Sequence, residues 1–308
     1  MFVRAILASC MIMAACAQSF AQPDAAVANS SDISGENARF ATECERWDEW
    51  EKPASPFRIH GDTYYVGTCG IAAILIAGPN GHVLIDSGTE GGSKVVEDNI
   101  AALGFSIDDV QAILTSHEHY DHVGGLNRLQ KLSRATVYTS TEAAPFLRTG
   151  ADNPRDPQAG LHDPMTPVTG DIRVVADGGV LNVGNTKVTS IATPGHTLGA
   201  MSWQWKSCEA DDCLSIVYAD SLSPVSADNY RFTDHPEYVA TFRKGIARLR
   251  EFSGSKCDML LTPHPSASNM IKRAGAGSLI GEVSCVAYAD AVERRLNARL
   301  EREASATE

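Results

Sequence analysis

Four residues able to hold a metal ion fall within the hexapeptide His117-Glu118-His119-Tyr120-Asp121-His122. Neutral imidazole nitrogens and a carboxylate are suitable ligands for zinc. The hexapeptide follows residues 110–115, which read as a buried strand, and precedes Val123-Gly124-Gly125, which opens a helix-like stretch. On an extended chain alternate side chains share a face, so His117 and His119 can point the same way. The backbone then turns, and Asp121 and His122 can reach a second point. A two-metal site needs its centres about 3.5–4 Å apart. An isolated histidine is more often satisfied by local hydrogen bonds, but this density at a strand end points to metal.

Two later stretches repeat the pattern. Thr193-Pro194-Gly195-His196-Thr197 ends one strand and Thr262-Pro263-His264-Pro265 ends another. The six residues divide into His117, His119 and His196 for one site, and Asp121, His122 and His264 for the other. Three protein ligands leave an open position for water, the mark of a catalytic rather than a structural zinc. The other histidines, His60, His82, His162 and His235, read as surface or hydrogen-bonding residues. His162 is the one to watch, because it lies in a long loop.

The elements that must position these residues follow from the apolar pattern. Strands are expected at 57–60, 63–66, 71–76 and 82–86, the last two joined by the Pro79-Asn80-Gly81 turn into a hairpin. Helical periodicity at 93–103 precedes the motif strand, and a helix at 126–132, a strand at 136–139 and a short helix at 142–147 follow it. Residues 149–170 are rich in Pro, Gly, Asp and Asn, and a loop of this length in a compact domain is often functional. Strands at 172–175, 187–192, 200–205, 214–218 and 259–262 come next, with helices at 236–252 and 283–302. Strands followed by helices, twice over, predict an α+β fold of two sheets packed face to face with helices on the outer faces. No linker divides residues 44–302, which read as a single domain. Residues 22–43 read as a flexible lead-in and 303–308 as a tail.

The composition, 44% hydrophobic and 21% charged, is that of an ordinary globular protein. A net charge of −12 without a basic stripe argues against nucleic acid as a partner. The N-terminus reads as a targeting segment: Arg4, an apolar run too short to span a bilayer, and small residues at Ser19 and Ala21 before a cleavage point. Residues 1–21 are therefore expected to be a signal peptide, with a lipoprotein-type anchor at Cys16 as the minor alternative. Six cysteines then remain, and an even count in an oxidising compartment suggests disulfides. Pairing neighbours gives Cys44–Cys69, Cys208–Cys213 and Cys257–Cys285, among 15 possible connectivities.

The motif His117-x-His119-x-Asp121-His122, with His196 and His264 downstream, resembles the metallo-β-lactamase superfamily. Leu84-Ile85-Asp86-Ser87-Gly88 looks like the strand that precedes the motif there, with Asp86 supporting a ligand from behind. The resemblance covers nearly the whole mature chain and implies an αββα sandwich with the metals at the sheet edge. Within the superfamily, Ala219-Asp220-Ser221-Leu222-Ser223 is similar to the B3 subclass. That implies a structural Asp220, with Ser221 and Ser223 facing the substrate carboxylate, where lactonase-like members use an aspartate to bridge the metals. The resemblance implies two zinc ions per subunit, a shared hydroxide oriented by Asp121, and attack on the amide of penicillins, cephalosporins and carbapenems in the periplasm. The neighbour pairing of the cysteines also resembles some periplasmic members. Gln158 is a further substrate-contact candidate, on loop position alone, and Tyr230 could donate to an oxyanion. A monomer without a transmembrane segment is expected. The rival readings are a lactone or thioester hydrolase on the same fold and a metal-binding protein without turnover; di-iron chemistry is disfavoured by the few carboxylates.

Overall fold

The computed structural model of the chain describes residues 30–306 apart from Asp163 and Glu282. The segment read as a signal peptide, with Cys16, lies outside the described residues. After helix α1 (Ser30–Glu43), a seven-stranded sheet runs in chain order: β1 (Phe57–His60), β2 (Thr63–Tyr65), β3 (Ile74–Ile76), β4 (His82–Ile85), β5 (Val110–Leu114), β6 (Thr136–Thr139) and β7 (Ile172–Val174). Its helices are α2 (Gly92–Ala102), α3 (Tyr120–Val123), α4 (Leu126–Ser133) and α5 (Ala144–Thr149). The second sheet has five strands: β8 (Val180–Val183), β9 (Thr186–Ala192), β10 (Met201–Glu209), β11 (Asp212–Tyr218) and β12 (Met259–Leu261), ordered β12-β11-β10-β9-β8. With it go α6 (Pro236–Arg250), α7 (Met270–Gly275) and α8 (Cys285–Ser305).

The four layers follow from strand alternation. Ile74 and Ile76 of β3, with Val83 and Ile85 of β4, face Trp203, Trp205, Ile216 and Tyr218 of the other sheet. Between them Leu75 and Leu84 point outward onto Val96, Ile100, Leu126 and Leu129 of the helices. In the second sheet Val217 and Leu260 do the same toward Phe242, Ile246, Leu249 and Val292. Both faces of the central strands are thus buried, so they read as continuous apolar runs. This is the expected αββα sandwich. The strands β3 and β4 form the predicted antiparallel hairpin. β8 and α7 carry too little periodic apolar pattern to stand out in the sequence.

The lead-in expectation for 22–43 is corrected over its second part. Residues 30–43 form a helix, and Phe40 packs against the stacked rings of Phe57 and Tyr65, at 4.9 and 4.8 Å. One buried aromatic on a polar helix gives almost no periodic signal; the anchoring is tertiary. It is completed by Cys44–Cys69, and the structure likewise joins Cys208–Cys213 and Cys257–Cys285. The folded unit therefore begins before Cys44. At the other end α8 runs through Glu303, whose carboxylate accepts from the Thr233 amide, so the tail expected from residue 303 is helical to Ser305.

Strand direction gathers the chemistry at one edge. β4 and β5 are parallel, β11 and β12 are parallel, and β9 runs with β11 because β10 is antiparallel to both. The segments leaving the C-terminal ends of β4, β5, β9, β11 and β12 carry Asp86, the hexapeptide, His196, Asp220 and His264 respectively. Ligand sites in sheets with parallel strands lie at such ends.

Candidate metal centre and cavity

His117 and His119 sit not on the strand but in the turn between β5 and α3, while Asp121 and His122 lie in α3. Ring nitrogens of His117, His119 and His196 all lie within 4.8 Å of one another, and the same holds for the ligand atoms of His117, Asp121 and His122. His264 Nε2 lies 3.2 Å from Asp121 Oδ2, and His122 Nε2 is 3.0 Å from the same oxygen. All six predicted residues therefore converge. A third grouping, Cys44, Asp48 and Cys69, is excluded as a metal site because its two sulfurs are bonded to each other.

Each ring is held from behind. His117 Nδ1 lies 2.8 Å from Asp220 Oδ1, which turns Nε2 toward the other histidines. The second Asp220 oxygen accepts from the Leu222 amide. Asp220 thus stands behind His117 rather than between the candidate ligands. His196 Nδ1 is fixed by the Ser223 carbonyl at 2.9 Å and lies 3.2 Å from the Ser223 hydroxyl. Asp86 lies 3.6 Å from His122 Nδ1 and accepts from Ser116 N, Ser116 Oγ and Tyr218 Oη. It has φ +62°, a conformation that costs energy for a side chain with a Cβ and recurs at functional sites. Asp156, which the sequence did not single out, lies 3.1 Å from His119 Nε2 and leaves Nδ1 as the ring atom for a metal.

The electrostatics differ from ring to ring, and within the first triad His119 is raised, desolvation being outweighed by Asp156. Burial, with the charge of neighbouring imidazoles, holds His117 well below the usual range and His196 down at about 3. Both are neutral, the form that ligates. Against desolvation, which acts the other way, His122 and His264 hold Asp121 well below the usual carboxylate range. Desolvation opposes charge on His122 too, yet Asp121 and Asp86 push it up to about 10. This half of the site therefore attracts a cation, whether proton or metal ion. Burial pushes Asp220 up to about 8; a cation on His117 Nε2 favours the carboxylate with the proton on Nδ1.

The donor set fits a metal pair. His117 Nε2 and His122 Nε2 are buried without a hydrogen-bond partner. An orphaned buried polar atom costs on the order of 1–3 kcal/mol, and here the orphans point together. Ser221 Oγ is also buried and unpartnered.

Beside the cluster opens a cavity of about 590 Å³, whose lining includes His119, Asp121, His196 and His264. Ser221, Ser223 and Gln158 line it as expected, Gln158 Nε2 lying 3.5 Å from His196 Nε2. His162 lines it too, 5.5 Å ring to ring from Trp50. Tyr230 does not. Its ring stacks on His235 at 4.4 Å and borders a different hollow. His60 and His82 are satisfied by backbone carbonyls, as read from the sequence. Sequence reasoning missed the outer wall: Arg46, Trp47, Trp50, Arg295 and Arg302. The only available signal was the spacing of the two arginines on α8.

Known proteins resemble this chain in the same terms. The family model described as Metallo-beta-lactamase superfamily matches residues 66–209. The solved structure titled MIM-2 Metallo-Beta-Lactamase is 52% identical, covering 87% of this chain and 98% of its own, with a TM-score of 0.81. The metallo-β-lactamase MIM-1 from Novosphingobium pentaromativorans is 42% identical over 88% of this chain and all of its own, with a TM-score of 0.83. MEM-A1, titled a subclass B3 metallo-β-lactamase from a soil metagenome, is 40% identical over 83% and 99%, with a TM-score of 0.78. Among curated proteins, the probable metallo-hydrolase YflN of Bacillus subtilis is 22% identical over 67% of this chain and 83% of its own.

Proposed function

We propose, from the premise that this chain belongs to the metallo-β-lactamase superfamily, that it is an exported B3-type β-lactamase. Its substrates are the cyclic amides of penicillins, cephalosporins and carbapenems. The observation that carries this reading is the convergence of the six candidate ligands with an Asp220 that faces a histidine rather than the space among them. A lactone or thioester hydrolase with a bridging aspartate would need that carboxylate on the other side of the ring.

His117, His119 and His196 would hold one zinc ion, and Asp121, His122 and His264 the second. Bound there, the metal pair supplies Lewis acidity and makes a water a nucleophile near neutral pH. The protein does the rest by position. Asp220 and the Ser223 carbonyl fix the tautomers of His117 and His196, so their Nε2 lone pairs face inward. The Asp121 carboxylate, ionised by its neighbours, orients the attacking water and can accept its proton. The Ser221 hydroxyl, buried with no partner, is placed to donate to the carboxylate beside the lactam. Ser223 is committed first to His196 and meets substrate only as part of the wall. Gln158 borders the same space from the long loop. The three disulfides suit a periplasmic protein, and residues 1–21 supply the export signal.

The test is spectrophotometric ring opening by the mature protein loaded with zinc, with a chelator control and metal counted by mass spectrometry. Hydrolysis lost with chelation, at two zinc ions per chain, supports the reading. A folded, zinc-loaded protein that opens no penicillin, cephalosporin or carbapenem overturns it, and turnover of a thioester instead would assign the rival chemistry.

A further inference from the structure

The outer wall of the cavity carries charge that the mechanism above does not use. Arg295, Ala298 and Arg302 of α8 all line it, at spacings of three and four that stack on one helix face. Arg46, from the segment after α1, lines it as well. Among the described residues the only acidic one in the lining is Asp121, a candidate ligand. Among the described residues none of the three arginines forms an ion pair; Arg295 lies beside the Tyr288 ring. Four other charges of α8 are paired: Asp290 and Glu293 with Arg250, Glu293 also with Arg243, and Arg299 with Glu303. Three guanidiniums without an ion pair thus line one cavity, in a chain with 38 acidic and 26 basic residues. A favourable place at the negative end of the helix accounts for Arg302 in the last turn. It does not account for Arg295, about three turns from that end.

We propose that these three arginines form a subsite for a second carboxylate, one carried on the substrate's side chain away from the lactam ring. The proposal rests on the β-lactamase reading of the site. A guanidinium fork matches a carboxylate. Ala298, Pro224, Val225 and the two tryptophans Trp47 and Trp50 surround the cations with apolar surface, so the anion they suit is borne on an aromatic or aliphatic group. The carboxylate fused beside the lactam has the buried Ser221 at the cavity floor; the arginines are exposed and meet what projects outward.

Benzylpenicillin and its α-carboxy derivative differ by that one group. The experiment measures kcat/KM for both at low and high salt, in the zinc-loaded wild type and in Arg295→Gln/Arg302→Gln and Arg46→Gln variants. The ratio of the α-carboxy compound to benzylpenicillin should fall about fivefold in the double variant, the scale of exposed charge pairs. It should fall in the wild type at high salt, and recover in Arg295→Lys/Arg302→Lys, with unfolding midpoints verifying the fold. An unchanged ratio overturns the subsite. So does an equal loss for both compounds, which would mean that the arginines hold the carboxylate common to all penicillins. Quenching of Trp47 and Trp50 fluorescence reads binding separately. If the wild type opens neither compound, the β-lactamase reading falls, yet tighter, salt-sensitive binding of the α-carboxy compound still supports the subsite and equal binding overturns it.

Discussion

The two halves of the sandwich bring residues to the metal centre in opposite ways. The seven-stranded half delivers four candidate ligands from one turn after β5, within six residues. The five-stranded half delivers two, His196 and His264, each alone at the end of its own strand. Some of the supports cross over. Asp220, from the second half, orients His117 of the first, and Tyr218 donates to Asp86. Trp203 of β10 donates to the Thr115 carbonyl, two residues before His117. The dense motif is thus assembled locally, with His117 aimed from the opposite sheet and His119 and His122 held by Asp156 and Asp86 of their own half.

The largest expected effect falls on the motif itself. On the proposed reading Asp121→Ala removes a ligand and the group that orients water, and kcat should fall about 10³-fold, in the range for a positioned acid or base. Steady-state kinetics with metal counting checks it; retention of wild-type turnover would show that the dense half does not carry the chemistry. Trp203→Ala tests the aim from across the interface. Loss of a fully buried indole should cost about 3–5 kcal/mol in denaturant unfolding, and activity should fall in the fraction that remains folded.

The disulfides sharpen the comparison through stability. Cys257–Cys285 closes a separation of 28 residues in the five-stranded half, and Cys208–Cys213 only five, already directly paired between β10 and β11. Serine replacement should cost about 3.5 kcal/mol for the first and about 2 for the second by loop entropy. Chemical denaturation of the two double variants measures the difference.

Asp220→Asn should lower activity or metal affinity about 10- to 100-fold, the usual effect of removing the partner behind a ligand, while two metals stay bound. Loss of one metal would instead make Asp220 a ligand. The smallest effect concerns His82 in β4, far from the centre. Desolvation holds its imidazole below the usual value, with Asp109 and the Gly78 carbonyl opposing. The unfolded chain therefore binds the proton more readily. His82 contributes stability above pH about 6.5, lost as pH falls through that value and on toward its folded pKa. His82→Gln should flatten the wild-type decline in urea midpoint between pH 7.5 and 5; an unaltered slope would remove His82 as its source.

The sequence by itself determined the six converging side chains, the alternating strands and the three cysteine pairs. Each has a local signature: four of the six side chains fall within one hexapeptide and the other two each follow a strand at a Pro turn, the strands are short apolar runs, and the cysteines pair in chain order. Tertiary structure alone decided what those patterns leave free. Asp220 turns to His117 across a separation of 103 residues. Ser223 is drawn onto His196, and Tyr230 is turned away from the cavity. A polar helix at residues 30–43 folds because one phenylalanine finds a pocket. In irregular segments no backbone period fixes where a side chain points, so its direction depends on partners that the fold brings near, and those partners lie far away in the chain.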